Sequence, residues 1–380
     1  MRKTLTAVIA VLVIIVAIAG VLVWQQLQTQ PTTSPTPTAS PSAPAPTATS
    51  PTTTPTPTTK LVIQWGTASV GSAGYTALAL IADIINRNMQ DLEISVVPTA
   101  GAVASIKSYS TGELGGCYAS TPSFTELYTL SGRFKGFEPK RYPYQTFWAY
   151  TLEIGIAIHQ RNIGKYKCWS DLNGVKMFTG PAGWDVGVAL RTALNILNIS
   201  YEHIELDWGM LADALERGTI EATIIYTTAY YGLPDWARQL ELSVPIAILN
   251  PCPNEIEILK REAPKTGIID AIVNYVEPKQ VFSTDVKLTS GDKISGVAFF
   301  YGFHVGSEVP ADVVYRMLKV LEANAGELAK LNPMFRLLAD DFVGMQVRGI
   351  EANSNVPVHP GLAKYLKEKG VWRDHWKIGG

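Results

Sequence analysis

The chain has 380 residues and a formal net charge of -1 at pH 7, from 32 basic and 33 acidic side chains. Because the two signs are mixed and no basic stripe is present, the composition argues against a nucleic-acid partner. The three cysteines, Cys117, Cys168 and Cys252, lack metal-ligand spacing, which leaves two alternatives: one disulfide with one remaining thiol, or three buried thiols.

The first predicted element is an apolar helix from Ala7 to Trp24. At ~1.5 Å per residue it would be roughly 27 Å long, close to the hydrocarbon thickness of a bilayer. Arg2 and Lys3 precede it, so the positive-inside tendency places the N-terminus in the cytoplasm. The alternative is a cleaved signal peptide, but this apolar stretch is longer than usual and has no small-residue cleavage site beside it. We therefore predict a retained single-pass membrane anchor within residues 1–30.

The second predicted segment, residues 31–60, consists almost entirely of Pro, Thr and Ser. Such a composition cannot build a core and favours extended backbone, with a reach on the order of 90 Å at ~3.1 Å per residue. Hydroxyl-rich stretches spaced by proline are typical of O-glycosylated stalks. The segment is therefore predicted to be disordered and to hold the rest of the chain outside the cell membrane, on its extracytoplasmic side.

The remaining body, from Leu61 to Gly380, is long enough for two α/β domains. It repeats a strand–loop–helix unit, which predicts mostly parallel sheets with helices on both faces. The predicted strands are Leu61–Trp65, Leu92–Val97, Gly174–Thr179 and Ala222–Tyr226. Apolar residues at helical spacing predict helices over about 78–89, 103–110, 186–197 and 210–217. Gly112 is expected to end the second of these helices.

Three loops rich in small residues lead from predicted strands into helices: Gly66–Gly74, Thr99–Ala102 and Gly180–Gly183. In parallel sheets ligands bind at this edge, where helix N-termini present unpaired N–H groups. Such groups suit an anion, most simply a carboxylate. The alternative is that the glycines only permit tight turns.

No catalytic motif is found in the sequence. No two of the five histidines have metal-ligand spacing, and the nucleophile elbow, the dinucleotide fingerprint and the phosphate loop are absent. Glu153 and Asp185 are the only acids that we single out as cleft candidates, and single carboxylates are mostly surface groups. The sequence therefore predicts no enzyme, no catalytic residue, no metal site and no cofactor.

Several stretches of the body together resemble one family of proteins. They are Gly66-Thr-Ala-Ser-Val-Gly-Ser-Ala-Gly-Tyr75, Thr99-Ala-Gly-Ala-Val-Ala-Ser-Ile106, Leu172-Asn-Gly-Val-Lys-Met-Phe-Thr-Gly-Pro-Ala-Gly-Trp-Asp-Val186, Arg217-Gly-Thr-Ile-Glu-Ala222, Pro310–Tyr315 and Val358-His-Pro-Gly-Leu-Ala-Lys-Tyr365. In this order and spacing they are similar to the TAXI-type solute receptors of TRAP transporters, over about Leu61 to Trp372.

The resemblance implies an α/β, two-lobed fold of the type II periplasmic-binding-protein kind, with two crossing strands as the hinge. The first lobe would comprise residues 61–153 and 296–380, and the second residues 154–295. The lobes would close on a small organic or amino acid bearing a carboxylate. They would then deliver it to a TRAP membrane permease subunit that is driven by an ion gradient.

The ligand contacts that these loops predict come from both lobes. The candidates are Thr67, Ser69, Ser72, Tyr75, Gly101, Ala102, Val103, Tyr118, Gly183, Trp184, Asp185 and Tyr226. The chain departs from the family at Trp184-Asp185-Val186, where small residues are usual. Either Trp184 only packs between the lobes, or it stacks on a flat or apolar part of the ligand while Asp185 binds a cation or amine on it.

The sequence is also compatible with other functions. A binding protein of an ATP-driven (ABC) importer and a chemoreceptor would have the same architecture. An enzyme on the same fold would need an acid such as Asp185 or Glu153 in the cleft, and a surface adhesion protein would need only the tether.

Overall fold

The computed structural model describes residues 60–380, so the predicted anchor and nearly all of the predicted stalk lie outside the described residues. The described strands are β1 (Leu61–Gly66), β2 (Leu92–Val97), β3 (Cys117–Ser120), β4 (Tyr144–His159), β5 (Lys176–Phe178), β6 (Glu202–His203), β7 (Ala222–Thr228), β8 (Ile246–Leu249), β9 (Asp270–Val276), β10 (Lys287–Leu288) and β11 (Ile294–Val305). The described α-helices are α1 (Ala73–Asn88), α2 (Ala102–Thr111), α3 (Thr121–Tyr128), α4 (Asp185–Ile196), α5 (Leu211–Glu216), α6 (Asp235–Ser243), α7 (Pro253–Glu262), α8 (Ala311–Ala323), α9 (Ala325–Leu331), α10 (Arg336–Asp340), α11 (Phe342–Ala352) and α12 (Pro360–Glu368).

The predicted strand–loop–helix units are confirmed. β1 and β2 pair in parallel, with α1 between them in sequence. The α1 helix buries the face that includes Leu78, Ile81 and Ile85, as the apolar spacing predicts. Gly112 follows α2 in the left-handed region, with φ 95°, because a residue without a side chain adopts this helix-ending conformation most easily.

Two long strands, β4 and β11, organise the centre of the sheet. The first part of β4 pairs with β11, and its last part pairs with β7 and β8. The β11 strand also pairs with β9 near its beginning and with β3 near its end. Both strands are buried along nearly their whole length. We name residues 60–143 and 306–380 the outer segment and residues 160–293 the inner segment; β4 and β11 join them.

The described strands form a two-stranded parallel sheet, β1–β2, and a nine-stranded mixed sheet, whereas the sequence predicted mostly parallel sheets. The pairs β1–β2, β5–β6, β5–β7 and β8–β10 are parallel. Every pair made by β4 or β11 is antiparallel. The two long strands lie side by side and run in opposite directions. The centre of the nine-stranded sheet is therefore antiparallel, and its parallel pairs lie to the sides.

A disulfide joins Cys168 to Cys252 across 84 residues of the inner segment, and Cys117 is a buried free thiol. The first of the two sequence alternatives is therefore the correct one. Glu255 supports this region, because its carboxylate accepts hydrogen bonds from the N–H groups of Trp169, Ser170 and Cys252.

None of the helices within residues 60–380 combines the length and the apolar character needed to cross a membrane.

Candidate functional site

The first two predicted loops meet at the end of β1. Thr67 is fully buried, and its carbonyl accepts a hydrogen bond from the hydroxyl of Thr99 in the second loop. The Thr99 hydroxyl also accepts the N–H of Gly101 at 3.2 Å. The Oγ1 atom of Thr67 has no hydrogen-bond partner among residues 60–380. A buried hydroxyl without a partner is costly, so this atom is a candidate donor to a ligand.

The other first-loop candidates have different surroundings. Ser72 is the N-cap of α1, and its hydroxyl accepts the N–H of Tyr75 at 3.2 Å. This hydroxyl therefore already caps the N-terminus of α1. Ser69 is exposed and Tyr75 is half-buried. No hydrogen bond of the Ser69 side chain is present in the part of the chain that the structure describes.

The second loop ends at Gly101, the N-cap of α2. Within the described residues α2 receives no side-chain cap, so the first-turn N–H groups, those of Ala102 and Val103 among them, keep their donor capacity. The α4 helix likewise begins after Trp184 without a side-chain cap in the described structure. Two of the predicted helix N-termini are thus open, as an anion site requires.

Three tyrosines lie together where β3, β4 and β11 are neighbours. The rings of Tyr118 and Tyr301 stack with centroids 4.7 Å apart, and the hydroxyls of Tyr118 and Tyr150 are hydrogen-bonded. The first turn of α1 approaches this cluster at Gly74, where a Cβ atom would lie 2.8 Å from the Tyr118 ring. Tyr118 is therefore a buried neighbour of the first loop.

Asp185 connects the inner segment to the rest of the protein. One of its carboxylate oxygens lies 2.6 Å from Nη1 of Arg133 in the outer segment, and the other accepts the hydroxyl hydrogen of Tyr301 at 2.7 Å. Arg133 also donates to the carbonyl of Gly183 at 2.8 Å. The Oδ2 atom of Asp185 is thus hydrogen-bonded, whereas Oδ1 forms an ion pair with Arg133 but has no hydrogen-bond partner among residues 60–380. The predicted cation or amine on the ligand would therefore have to lie beside the positive charge of Arg133.

The charge balance around Arg133 is unusual. Its Nε donates to Glu126 at 2.6 Å, so one guanidinium faces two carboxylates, those of Glu126 and Asp185. Burial lowers the pKa of Arg133, but the two acids outweigh burial and the pKa is raised. Burial raises the pKa of Glu126 in spite of Arg133. The Nη2 atom of Arg133 is buried and has no hydrogen-bond partner in residues 60–380.

Four aromatic side chains of the inner segment lie in sequence-distant positions but form one cluster, which we call the aromatic wall. Trp208 and Trp236 stack with ring centroids 4.2 Å apart. Trp184 meets Trp208 edge-on at 5.9 Å, and Tyr226 meets Trp236 edge-on at 5.3 Å. Trp184 remains 47% exposed. The predicted residues Trp184 and Tyr226 therefore belong to one cluster, in which Trp208 and Trp236 lie between them.

Glu153 lies elsewhere, inside β4 at the point where β7 and β11 flank it. Its carboxylate accepts hydrogen bonds from the hydroxyls of Thr151 and Thr227 and from the N–H of Tyr230. Burial raises its pKa to about 7, although the three hydrogen bonds act in the opposite direction. The side chain is fully enclosed, so it does not line an open cleft.

Sequence reasoning missed the partners that define this site. Arg133, Tyr301, Trp208 and Trp236 belong to no motif, and Arg133 is far from Asp185 along the chain. For Trp208 and Trp236 the only sequence signal was the abundance of tryptophan, with nine in the chain.

One group of potential metal ligands occurs in the described part of the chain: Cys168, Cys252 and Glu255. Its two sulfur atoms are joined in the disulfide, and Glu255 accepts backbone N–H groups. Thiolates rather than disulfide sulfurs bind metals, so this group does not fit a metal ion.

Residues 65–370 match the NMT1-like family, and the chain therefore belongs to that family. A comparison with curated protein sequences gives no significant match.

Several solved structures resemble the chain at low identity. The periplasmic aliphatic sulphonate binding protein SsuA from Escherichia coli is 11% identical, with 81% of this chain and 84% of that chain covered and a TM-score of 0.39. A putative periplasmic sulfonate-binding protein from Methylobacillus flagellatus is 13% identical, with 85% and 98% covered and a TM-score of 0.44. The second substrate-binding domain of Lactococcus lactis GlnP is 14% identical, with 73% and 94% covered and a TM-score of 0.39.

Proposed function

We propose that the protein is an extracytoplasmic solute receptor that captures a small carboxylate-bearing solute and delivers it to a membrane transporter. The observation that carries this proposal is the contact between Asp185 of the inner segment and Arg133 of the outer segment, at the open N-terminus of α4. Membership of the NMT1-like family supports it. The two segments would be the predicted lobes, with β4 and β11 as the hinge.

The site suits binding better than catalysis. Asp185 is held by Arg133 and Tyr301, and Glu153 is enclosed by hydroxyl and amide donors. The hydroxyls next to these acids, those of Thr151, Thr227 and Tyr301, are themselves buried, which argues against a role as nucleophiles toward a bound substrate. The open N–H groups at the start of α4 and the Nη2 atom of Arg133 are donors at the Asp185 contact, which a carboxylate would satisfy. The α2 N-terminus and the buried Thr67 hydroxyl are further donors to which a carboxylate is suited.

The extracytoplasmic location is part of the proposal. The Cys168–Cys252 disulfide supports it, because such bonds persist mainly in oxidising compartments. The predicted anchor and stalk would keep the receptor close to its membrane partner and raise the effective concentration of one near the other. The TAXI resemblance favours an ion-driven TRAP permease as that partner. The second candidate is a solute-binding protein of an ABC importer. A gene for a TRAP membrane subunit next to the gene for this protein would favour the TRAP receptor.

The test is ligand-induced stabilisation of the full-length purified chain. A panel of organic, sulfonic and amino acids at millimolar concentration should contain compounds that raise the Tm, because a ligand bound only by the folded state stabilises it. Mass spectrometry of small molecules released from the protein as purified should identify a chemically unchanged solute. If no compound changes the Tm and none is released, the receptor function is wrong; a chemically converted compound would favour an enzyme.

A further inference from the structure

The aromatic wall and the Asp185 contact are neighbours in the chain and in space. Trp184 is flanked by Gly183, whose carbonyl accepts from Arg133, and by Asp185, which contacts Arg133 and Tyr301. Its backbone is therefore held where the inner and outer segments meet, while its indole extends to Trp208. The wall thus begins directly beside the donors proposed to bind the acid group of the solute.

Packing within the wall closes the space between its two central rings. Trp208 and Trp236 stack directly on each other, with centroids 4.2 Å apart and planes inclined by 27°. No space remains between these two rings, whereas an ammonium ion is recognised by aromatic faces arranged around it. Phe178 meets Trp208 edge-on at 5.2 Å and helps to fix its orientation.

Trp184 is the exposed member of this surface. It is the only tryptophan among the large apolar side chains of residues 60–380 that remain widely exposed, at 47%. Its edge-on contact with Trp208, with planes at 63°, holds the ring without covering it. Because its neighbours already hold the indole in place, it loses little additional conformational freedom when a ligand stacks on it.

The carboxylate next to Trp184 does not select a cation. The Oδ2 atom of Asp185 accepts the Tyr301 hydroxyl, and the buried Oδ1 atom lies 2.6 Å from the Arg133 guanidinium, so an amine at this carboxylate would be repelled by the positive charge of Arg133. The selective element at this position is therefore the aromatic surface.

We propose that the solute is an aromatic acid, whose planar ring stacks on Trp184 of the aromatic wall while its acid group binds at the neighbouring donors. This inference rests on the proposed receptor function and names the class of its solute. Stacked and edge-on aromatic pairs are favoured beyond the apolar area that they bury, because the ring quadrupoles attract at such geometries. A planar ring should therefore bind more tightly than a saturated ring of the same size.

Binding of three matched acids to the full-length protein tests the class of solute. The probes are phenylacetate, cyclohexylacetate and acetate, with choline as a cationic probe and succinate as an aliphatic diacid, all measured by calorimetry. We expect phenylacetate to bind about tenfold more tightly than cyclohexylacetate, as one aromatic pair can supply. Equal or tighter binding of cyclohexylacetate, or tightest binding of choline, would overturn the inference.

Variants of the wall give an independent readout. Trp184→Ala should abolish the preference for phenylacetate, and Trp184→Phe should restore most of it. Met210→Ala is the matched control, since Met210 is an exposed apolar residue of the same segment outside the aromatic contacts described above. An unchanged preference in Trp184→Ala would contradict the inference. If succinate were the only acid that bound, the proposal of an aromatic solute would be wrong and the proposed receptor function would be retained. If no acid bound, both proposals would be wrong.

Discussion

Two buried carboxylates beside the joining strands are held in opposite ways. Asp185 lies between the inner and outer segments and contacts a cation, Arg133, at 2.6 Å. Glu153 lies within β4 and receives hydrogen bonds only from two hydroxyls and one backbone N–H. No ion pair involves Glu153 in the chain from residue 60 onwards. One acid is thus balanced by charge, and the other only by neutral dipoles.

The difference indicates what each acid does for the structure. The Asp185 contact links residues that are far apart in sequence, so it stabilises one arrangement of the two segments. Glu153 holds a local turn, in which Ala229 and Tyr230 have positive φ values of 48° and 71°. Such values are unfavourable for residues with side chains, and the hydrogen bond from Tyr230 to Glu153 helps to maintain them. The first contact connects the two segments, and the second maintains a turn next to β4.

The largest effect is expected from removing the cation. Arg133→Met leaves the carboxylates of Asp185 and Glu126 buried without their common partner, and should lower the free energy of unfolding by about 4 kcal/mol. Urea denaturation followed by circular dichroism measures this loss.

The matched control for that experiment is Arg217→Met. Arg217 forms an exposed ion pair with Asp213, and its removal should cost less than about 1 kcal/mol. If the two variants lost the same stability, the contact across the segments would contribute no more than a surface pair.

A smaller effect is expected from the neutral surroundings of Glu153. Its pKa is about 7 in the folded protein and close to 4.5 in the unfolded chain. Between these values the folded state keeps a proton that the unfolded state has released. Stability should therefore fall by on the order of 3 kcal/mol as the pH rises from about 4.5 to about 7, and this contribution should be constant above that range.

The variant Glu153→Gln isolates this contribution, because its side chain does not titrate. The difference in unfolding free energy between the wild type and Glu153→Gln should change across pH 4.5 to 7, whereas Glu257→Gln, at an exposed position, should behave as the wild type. A difference that is independent of pH would show that Glu153 has an ordinary pKa and that its neutral donors suffice to hold the charge.

Much of the local structure was predictable from the sequence, and the contrast between the two acids was not. The apolar spacing in α1 and the glycine after α2 each reflect forces within a few residues, so the sequence displays them directly. Glu153 and Asp185 were both singled out, but as equivalent acids. Their partners come from other strands and turns, and a contact between distant residues leaves no local pattern. Trp184 and Tyr226 were singled out as ligand contacts, but their packing with Trp208 and Trp236 was not predicted, because it too joins residues that are distant in the chain.

The smallest of the three effects separates the two partners of Asp185. Tyr301→Phe removes one hydroxyl donor to the carboxylate and leaves Arg133 in place, so it should cost about 2 kcal/mol, as expected for a hydrogen bond to a charged group. Tyr128→Phe is the matched control, because the Tyr128 hydroxyl donates at 3.0 Å to an uncharged carbonyl, that of Pro143, and its loss should cost about 1 kcal/mol. Equal losses in urea denaturation would mean that Arg133 alone satisfies Asp185. The larger loss for Tyr301→Phe would show that β11 itself takes part in holding the inner segment to the outer one, since Tyr301 belongs to that joining strand.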